Sequence, residues 1–193
     1  MNIRIAPASP PYTADVTEDL QKLMPPGMAP IGLFRTLAKN PRVLRRIRRG
    51  GLLDRGSITV RQREIVILRT TARAGAEYEW GVHAGFFGPA AGLDDRCLHA
   101  TVWGAPDDEC WSPDESVLLQ TCDELHAHSR LSEASWSGLR DAFAEDQILE
   151  VLVLAGFYRA IAYVVNVTGI ALEEGAYRFP PKRTGDSMSL DSH

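Results

Sequence analysis

The tetrapeptide Ser112-Pro113-Asp114-Glu115 is the sharpest structural signal in the sequence, and it is a helix start. A serine at the cap, a proline at the first helical position and a glutamate three residues after the serine together predict a helix running through about His126. Similar signals recur. Asn40-Pro41 predicts a helix with Val43, Leu44 and Ile47 on one face and Arg42, Arg45, Arg46 and Arg49 on the other. Thr59 and Gln62 have capping-box spacing ahead of Ile65, Leu68 and Ala72, and Gly75 stops that helix. Glu77 to about Ala91 reads as a further helix ended by Gly92, with Pro89 late in it. Asp94 or Asp95 opens a short helix toward Trp103, Ser132 caps one through Phe143, and Asp146 caps a long one carrying Ile148, Leu152, Ala155, Tyr158 and Ala162. Alternation of apolar and polar residues hardly occurs, and no Asn-Gly or Asp-Gly hairpin punctuates the chain. The fold class is therefore all-α.

At 193 residues the chain is expected to form a single domain, with residues 1–12 and 180–193 as polar, proline- and serine-containing tails. The 21 Lys and Arg nearly balance 25 Asp and Glu, so the net charge of -4 gives no global pull toward nucleic acid or an anionic membrane. The arginines at 42, 45, 46 and 49 have no interleaved aromatics and are expected to form a solvated helix face. The apolar stretch from Ile148 to Ile170 is interrupted by Glu150, Arg159 and Asn166, which suits a buried helix better than a membrane span. Met1 to Pro11 does not resemble a secretory signal. Cys97, Cys110 and Cys122 are odd in number and form no C-x-x-C pair, so reduced thiols in a cytoplasmic protein are expected.

On a helix over residues 77–91, Glu79, His83, Phe86, Phe87 and Ala90 fall within one sector. A carboxylate four residues before an imidazole is acid/base equipment, since the carboxylate can hold the ring as base or acid near its ordinary pKa. Such a pair is also common on solvated helix surfaces. Beside two phenylalanines it lines a pocket or lies at a subunit contact, and the pocket is the preferred expectation. An antiparallel hairpin about Gly75 would bring Glu64 toward the pair.

The segment Arg63-Glu64-Ile65-Val66-Ile67-Leu68-Arg69, followed by Glu77-Tyr78-Glu79-Trp80-Gly81-Val82-His83 and Ala90-Ala91-Gly92-Leu93, resembles the carboxymuconolactone decarboxylase superfamily, which also contains alkylhydroperoxidase D. The resemblance spans about residues 30–175 and extends through Asp123-Glu124-Leu125-His126 and Trp136. It implies an alkylhydroperoxidase D-like helical array with a central helix hairpin, and a homo-oligomer of three or six subunits. Alkylhydroperoxidase D proteins use a glutamate, a C-x-x-C pair and a histidine; the corresponding positions here hold Glu64, Ala76, Glu79 and His83. Without the two thiols, disulfide turnover at those positions is unavailable.

Glu79 and His83 instead look like the glutamate and histidine of the decarboxylase. The implied function is a lyase, decarboxylase or isomerase acting on a small carboxylated or carbonyl compound and requiring no metal and no organic cofactor. His83 is expected to be the acid/base, Glu79 its orienter and Glu64 a second proton or hydrogen-bonding group, with Tyr78, Trp80 and Phe87 against the substrate. A thiol peroxidase and a non-catalytic oligomeric binding protein are the alternatives. Asp123, Glu124, His126 and His128 invite a metal reading, but His126 and His128 point about 200° apart on a helix, so a solvated polar face is expected there. The expected partner is a small molecule, with no nucleic acid and no membrane.

Overall fold

The computed structural model describes residues 3–184 and residue 186, and among them the regular structure is helical throughout. The elements are α1 (Ala14–Leu23), α2 (Gly32–Leu37), α3 (Pro41–Gly50), α4 (Val60–Arg73), α5 (Glu77–Phe86), α6 (Asp95–Trp103), α7 (Pro113–His128), α8 (Glu133–Ala142) and α9 (Glu145–Thr168). The start signals are physically realised. Asn40 accepts from the Val43 N–H, Asp94 from Cys97 and Ser132 from Ser135, while Thr59/Gln62 and Ser112/Glu115 form reciprocal capping boxes.

Helix α4 is the axis of the molecule, packed against α5, α6, α7 and α9. Ile65, Val66, Ile67 and Leu68 are all fully buried, so this helix has no solvated stripe through its middle. Several of its polar residues are buried in matched partnerships. Arg69 is fully enclosed; it makes paired bonds of 2.7 and 2.6 Å to Asp123 of α7 and donates to the carbonyls of Ala100, Thr101 and Gly104 at the end of α6. One guanidinium thus joins three helices. The N-terminal helices α1, α2 and α3 form a second apolar cluster with Ala76, Tyr78, Ile161, Ala162, Val165 and Ile170.

Between α4 and α5 the chain reverses at Gly75, whose φ of 63° is left-handed. The Gly75 N–H bonds to the Ala72 carbonyl and the Ala76 N–H to that of Thr71, so the turn closes as a Schellman motif. The predicted central hairpin is therefore present.

Several boundaries differ from expectation. Helix α5 ends at Phe86 rather than near Ala91: the N–H groups of Phe87 and Gly88 both turn back to the His83 carbonyl, and Pro89 has no N–H to continue the ladder. Gly92, at φ 66°, lies in the loop beyond. Helix α9 starts at Glu145, with Asp146 inside the first turn; Gln147 Oε1 accepts from the Ala144 N–H at 3.0 Å in place of the expected aspartate cap. Helices α1 and α2 carry no side-chain cap bonds; Thr13 stands at the α1 cap position but donates to Asp15 instead.

The described parts of the expected tails are attached. Arg4 donates its N–H to Thr168 and Ala8 to Arg35, while Trp103 Nε1 donates to the Pro180 carbonyl. The expectation for residues 1, 2, 185 and 187–193 falls outside the described residues.

Just before Pro180, the chain crosses α5 where that helix has no side chains. A Cβ on Gly81 would lie 2.2 Å from the Tyr177 carbonyl oxygen, and one on Gly85 would lie 3.1 Å from the Tyr177 ring. Arg178 and the Phe179 N–H then bond to Glu77, and Phe179 sets its ring edge against Trp80. Gly81→Ala gains about 1 kcal/mol of helix propensity but forces this backbone away at a cost of about 1–3 kcal/mol. Its expected thermal midpoint is below that of the unmodified chain, whereas the same change at Gly138 of α8, whose Cβ would meet only the Val117 side chain at an ordinary 3.7 Å, should raise it. Calorimetry on both variants checks the pair.

Candidate active site

The Gly75 hairpin sets Glu64 of α4 opposite His83 of α5, and the Glu64 carboxylate accepts from His83 Nδ1 at 2.7 Å. Both side chains are buried, Glu64 completely. The second Glu64 oxygen accepts from Arg63 Nε at 2.9 Å, and Arg63 also donates to the Leu53 carbonyl at 2.8 Å. A buried carboxylate shared between a guanidinium and an imidazole is thereby satisfied on both oxygens.

Aromatic rings fix the imidazole plane. Phe87 stacks on His83 at 5.0 Å and Tyr158 of α9 meets it edge-on at 4.9 Å, while the Arg63 guanidinium lies 5.5 Å over the Phe87 ring. With Nδ1 committed to Glu64, Nε2 is the ring nitrogen left without a hydrogen bond to that carboxylate. His83 Nε2 lies 3.7 Å from Glu79 Oε1, beyond direct hydrogen-bond distance.

Glu79 is buried, and its Oε2 has no hydrogen-bond partner. Burial pushes its pKa up; the nearby His83 pulls it down and the Glu64 charge raises it, with a net upward shift. Tyr158 is held protonated for the same reasons, by burial first and by Glu79 and Glu64 next, with Arg63 acting in the opposite direction.

Glu79, His83, Phe87 and Tyr158 open on a cavity of about 700 Å³ between the α1–α3 layer and the α5/α9 pair. Its remaining wall is largely apolar, including Leu33, Phe34, Val82, Phe86, Phe157 and Ile161, and Lys22, Arg48, Arg49 and Asp54 supply charge. The volume lies within the range typical of small-molecule sites.

The structure thus brings Glu64, Glu79, His83 and Phe87 to one place and separates Tyr78 and Trp80 from it. Tyr78 points into the α1–α3 cluster, donating to Glu173 at 2.6 Å and accepting from the Leu33 N–H. Trp80 is core, bonded to Thr101 at 3.0 Å. Flanking Glu79 in sequence sends their side chains around the helix, away from its face. Of the two carboxylates, Glu64 is the one hydrogen-bonded to the ring, and Glu79 faces the other ring nitrogen. Tyr158 and Arg63 were not singled out for the site by sequence, because at helical spacing a tyrosine among aliphatics and an arginine in a charged run look like core and surface.

In the second polar cluster, three of the four side chains bond to residues outside it. Asp123 holds Arg69, Glu124 accepts from Ser132 and Ser135, and His126 pairs with Arg159. Among the described residues no group of three His, Cys, Asp or Glu side chains is placed to hold a metal ion. The three cysteines lie outside the cavity lining. Burial pushes the Cys122 thiol up to about 12, and burial with neighbouring Cys97 pushes Cys110 up to about 12, so neither supplies thiolate at neutral pH.

No protein-family model matches the chain, and no curated protein is detectably similar in sequence. Solved structures do match. The alkylhydroperoxidase AhpD core protein of Ralstonia eutropha JMP134, described as peroxidase-related, superposes with a TM-score of 0.78 at 16% identity, over 90% of this chain and 94% of that one. A cysteine-to-alanine variant of the debrominase Bmp8 in complex with 2,3,4-tribromopyrrole gives 0.74 at 12% identity, over 90% and 93%. A peroxidase-related protein of Silicibacter sp. TM1040 gives 0.69 at 17% identity, over 89% and 90%. The chain has the alkylhydroperoxidase D-like fold. Within that fold, the positions that the resemblance assigns to the peroxidase cysteines are Ala76, buried at the start of α5, and Glu79 in the cavity wall.

The raised Glu79 pKa has a signed consequence for stability. Its contribution is complete below the unfolded-state value near 4.5 and is lost as pH rises through the higher folded-state value. The neutral isostere Glu79→Gln removes that titration. Its melting temperature should gain on that of the unmodified protein as pH is raised between about 5 and 9. A constant difference across the series would show that Glu79 has no raised folded-state pKa.

Proposed function

We infer that the protein is a cytoplasmic enzyme that needs no cofactor and catalyses proton transfer at carbon on a small carbonyl or carboxylated compound, in the manner of a decarboxylase, lyase or isomerase. The observation that carries this reading is the Glu64–His83–Glu79 line: an imidazole held by one buried carboxylate, with a second carboxyl group across a 3.7 Å gap at its free nitrogen. Glu64 accepts Nδ1–H and so leaves the Nε2 lone pair directed toward Glu79. That is the tautomer a general base requires, and Glu64 stabilises the imidazolium once the proton has moved.

Glu79, with its pKa raised by burial, is suited to remain protonated and donate to the oxygen on which enolate charge develops. In a decarboxylation the electrons of the departing C–CO₂ bond enter the adjoining carbonyl to give the enolate. For this reaction His83 must enter the cycle as the imidazolium, having taken a proton from solvent on Nε2; it gives that proton to the enolate carbon and is left neutral. In an isomerisation the same imidazole removes the proton first and gives it back at the neighbouring carbon. The apolar wall would seat the body of the substrate, and Arg49 offers a place for its carboxylate beside Lys22 and Arg48, which are paired with Glu18 and Asp19. The debrominase neighbour, which is described with a tribromopyrrole, supports a small ring-shaped substrate for this cavity.

The thiol-peroxidase alternative has little support, because the cavity has no cysteine in its wall and two of the three thiols are held protonated.

The expected assay is hydrogen–deuterium exchange or CO₂ release, followed by proton NMR in D₂O, over a panel of keto acids and carboxylated lactones. His83→Ala should lower turnover by about 10²–10⁴-fold, the usual contribution of a positioned acid/base, with the helical circular dichroism unchanged. Glu64→Gln should also reduce kcat, by weakening the orientation of the ring. Full activity in His83→Ala would overturn the assignment, and peroxide consumption that disappears on substituting the cysteines by serine would favour the thiol reading.

A further inference from the structure

Helix α9 uses only part of its circumference for the fold. Val151, Leu154, Ala155, Tyr158, Ile161, Ala162, Val165 and Thr168 face inward, buried against the rest of the chain. The residues exposed from Leu149 onward are Leu149, Val153, Gly156, Ala160, Tyr163 and Val167. Their spacing is 4, 3, 4, 3, 4, the a/d pattern of a heptad repeat over about 27 Å of helix. None is charged. The four large ones are far from incidentally exposed: Leu149 is 64% accessible, Val153 59%, Tyr163 58% and Val167 58%. Single exposed apolar residues are ordinary, but a continuous uncharged stripe in heptad register is a surface with a partner.

We propose that this stripe pairs, antiparallel and about a two-fold axis, with the same stripe of a second copy of the chain. The stripe is its own complement. Its spacing reads the same in both directions, so a two-fold axis sets Leu149 against Val167, Val153 against Tyr163 and Gly156 against Ala160. Large residues meet large ones toward the ends, and the two small ones meet in the middle. A Cβ at Gly156 would find nothing within 4 Å, so the backbone there is open to close approach by another helix. The charged residues flanking the stripe already have partners within the chain: Glu150 accepts from Ser57, and Arg159 pairs with His126 and Tyr163. Closing the contact strands none of them.

By length and composition α9 could also cross a bilayer, but a span would take the inward face away from α4, which it covers. The pairing is independent of the chemistry proposed for the cavity. It also limits the assembly expected from resemblance, since a hexamer can be built from two-fold pairs and a bare trimer cannot.

The test is sedimentation equilibrium of the full chain at micromolar concentrations, with Val153→Glu and, as a second probe on the same stripe, Ala160→Arg. Both sites are exposed, so circular dichroism and the melting transition should retain a folded helical protein. The expected result is an even-numbered assembly whose mass is halved by either substitution. A monomer, a bare trimer, an assembly unaffected by folded variants, or co-sedimentation with phosphatidylcholine/phosphatidylglycerol vesicles that either substitution abolishes would each overturn the proposal.

Discussion

The bond from His83 to Glu64 is the contact on which the arrangement of the centre depends. It joins α4 to α5 across the Gly75 turn, inside protein, where an unmatched carboxylate would cost several kcal/mol. Arg63 and His83 share that cost, and each is held in turn, Arg63 by the Leu53 carbonyl and His83 by two aromatic rings. Removing one member of a buried charged group of this kind typically costs about 3–5 kcal/mol. The hairpin is therefore kept in register by the same atoms that set the tautomer of the histidine. Structural and chemical requirements fall on one residue pair.

Glu79 shows the opposite economy. Its Oε2 is buried without a hydrogen-bond partner, in contrast to the fully bonded guanidinium of Arg69. An unsatisfied buried carboxyl group is a reservoir of interaction free energy available to whatever enters the cavity. The contrast between the two glutamates, one doubly bonded and one left open, gives otherwise identical side chains different environments.

Much of this was legible in the sequence because helix starts are written locally. The caps at Asn40, Thr59, Asp94, Ser112 and Ser132 all hold, and the hairpin follows from Gly75 alone. Four-residue spacing was enough to put Glu79 and His83 on one face. What escaped were features decided by tertiary partners. Helices α1 and α2 have no side-chain caps, yet with α3 they supply one wall of the cavity through Lys22, Leu33 and Phe34. Tyr158 is indistinguishable by periodicity from its buried neighbours until α9 is laid against His83. Tyr78 and Trp80 were drawn toward the site by adjacency in sequence and carried away from it by the helical turn.

The crossing of α5 by the segment around Tyr177 bears on the order in which the molecule can be completed. Helix α5 presents His83 to the cavity and Gly81 to this strand of backbone, and the two faces are closed by parts of the chain far apart in sequence. On a ribosome, α4 and α5 emerge and can form their hairpin long before residues 176–180 exist. Until those arrive, Trp80 lacks the Phe179 ring that covers it and Glu77 lacks the Arg178 guanidinium. The helix that carries the histidine is thus among the first elements that could assemble and among the last to be enclosed. Any shortening of the chain ahead of Tyr177 would leave a newly made protein with its central hairpin formed and one side of it still wet.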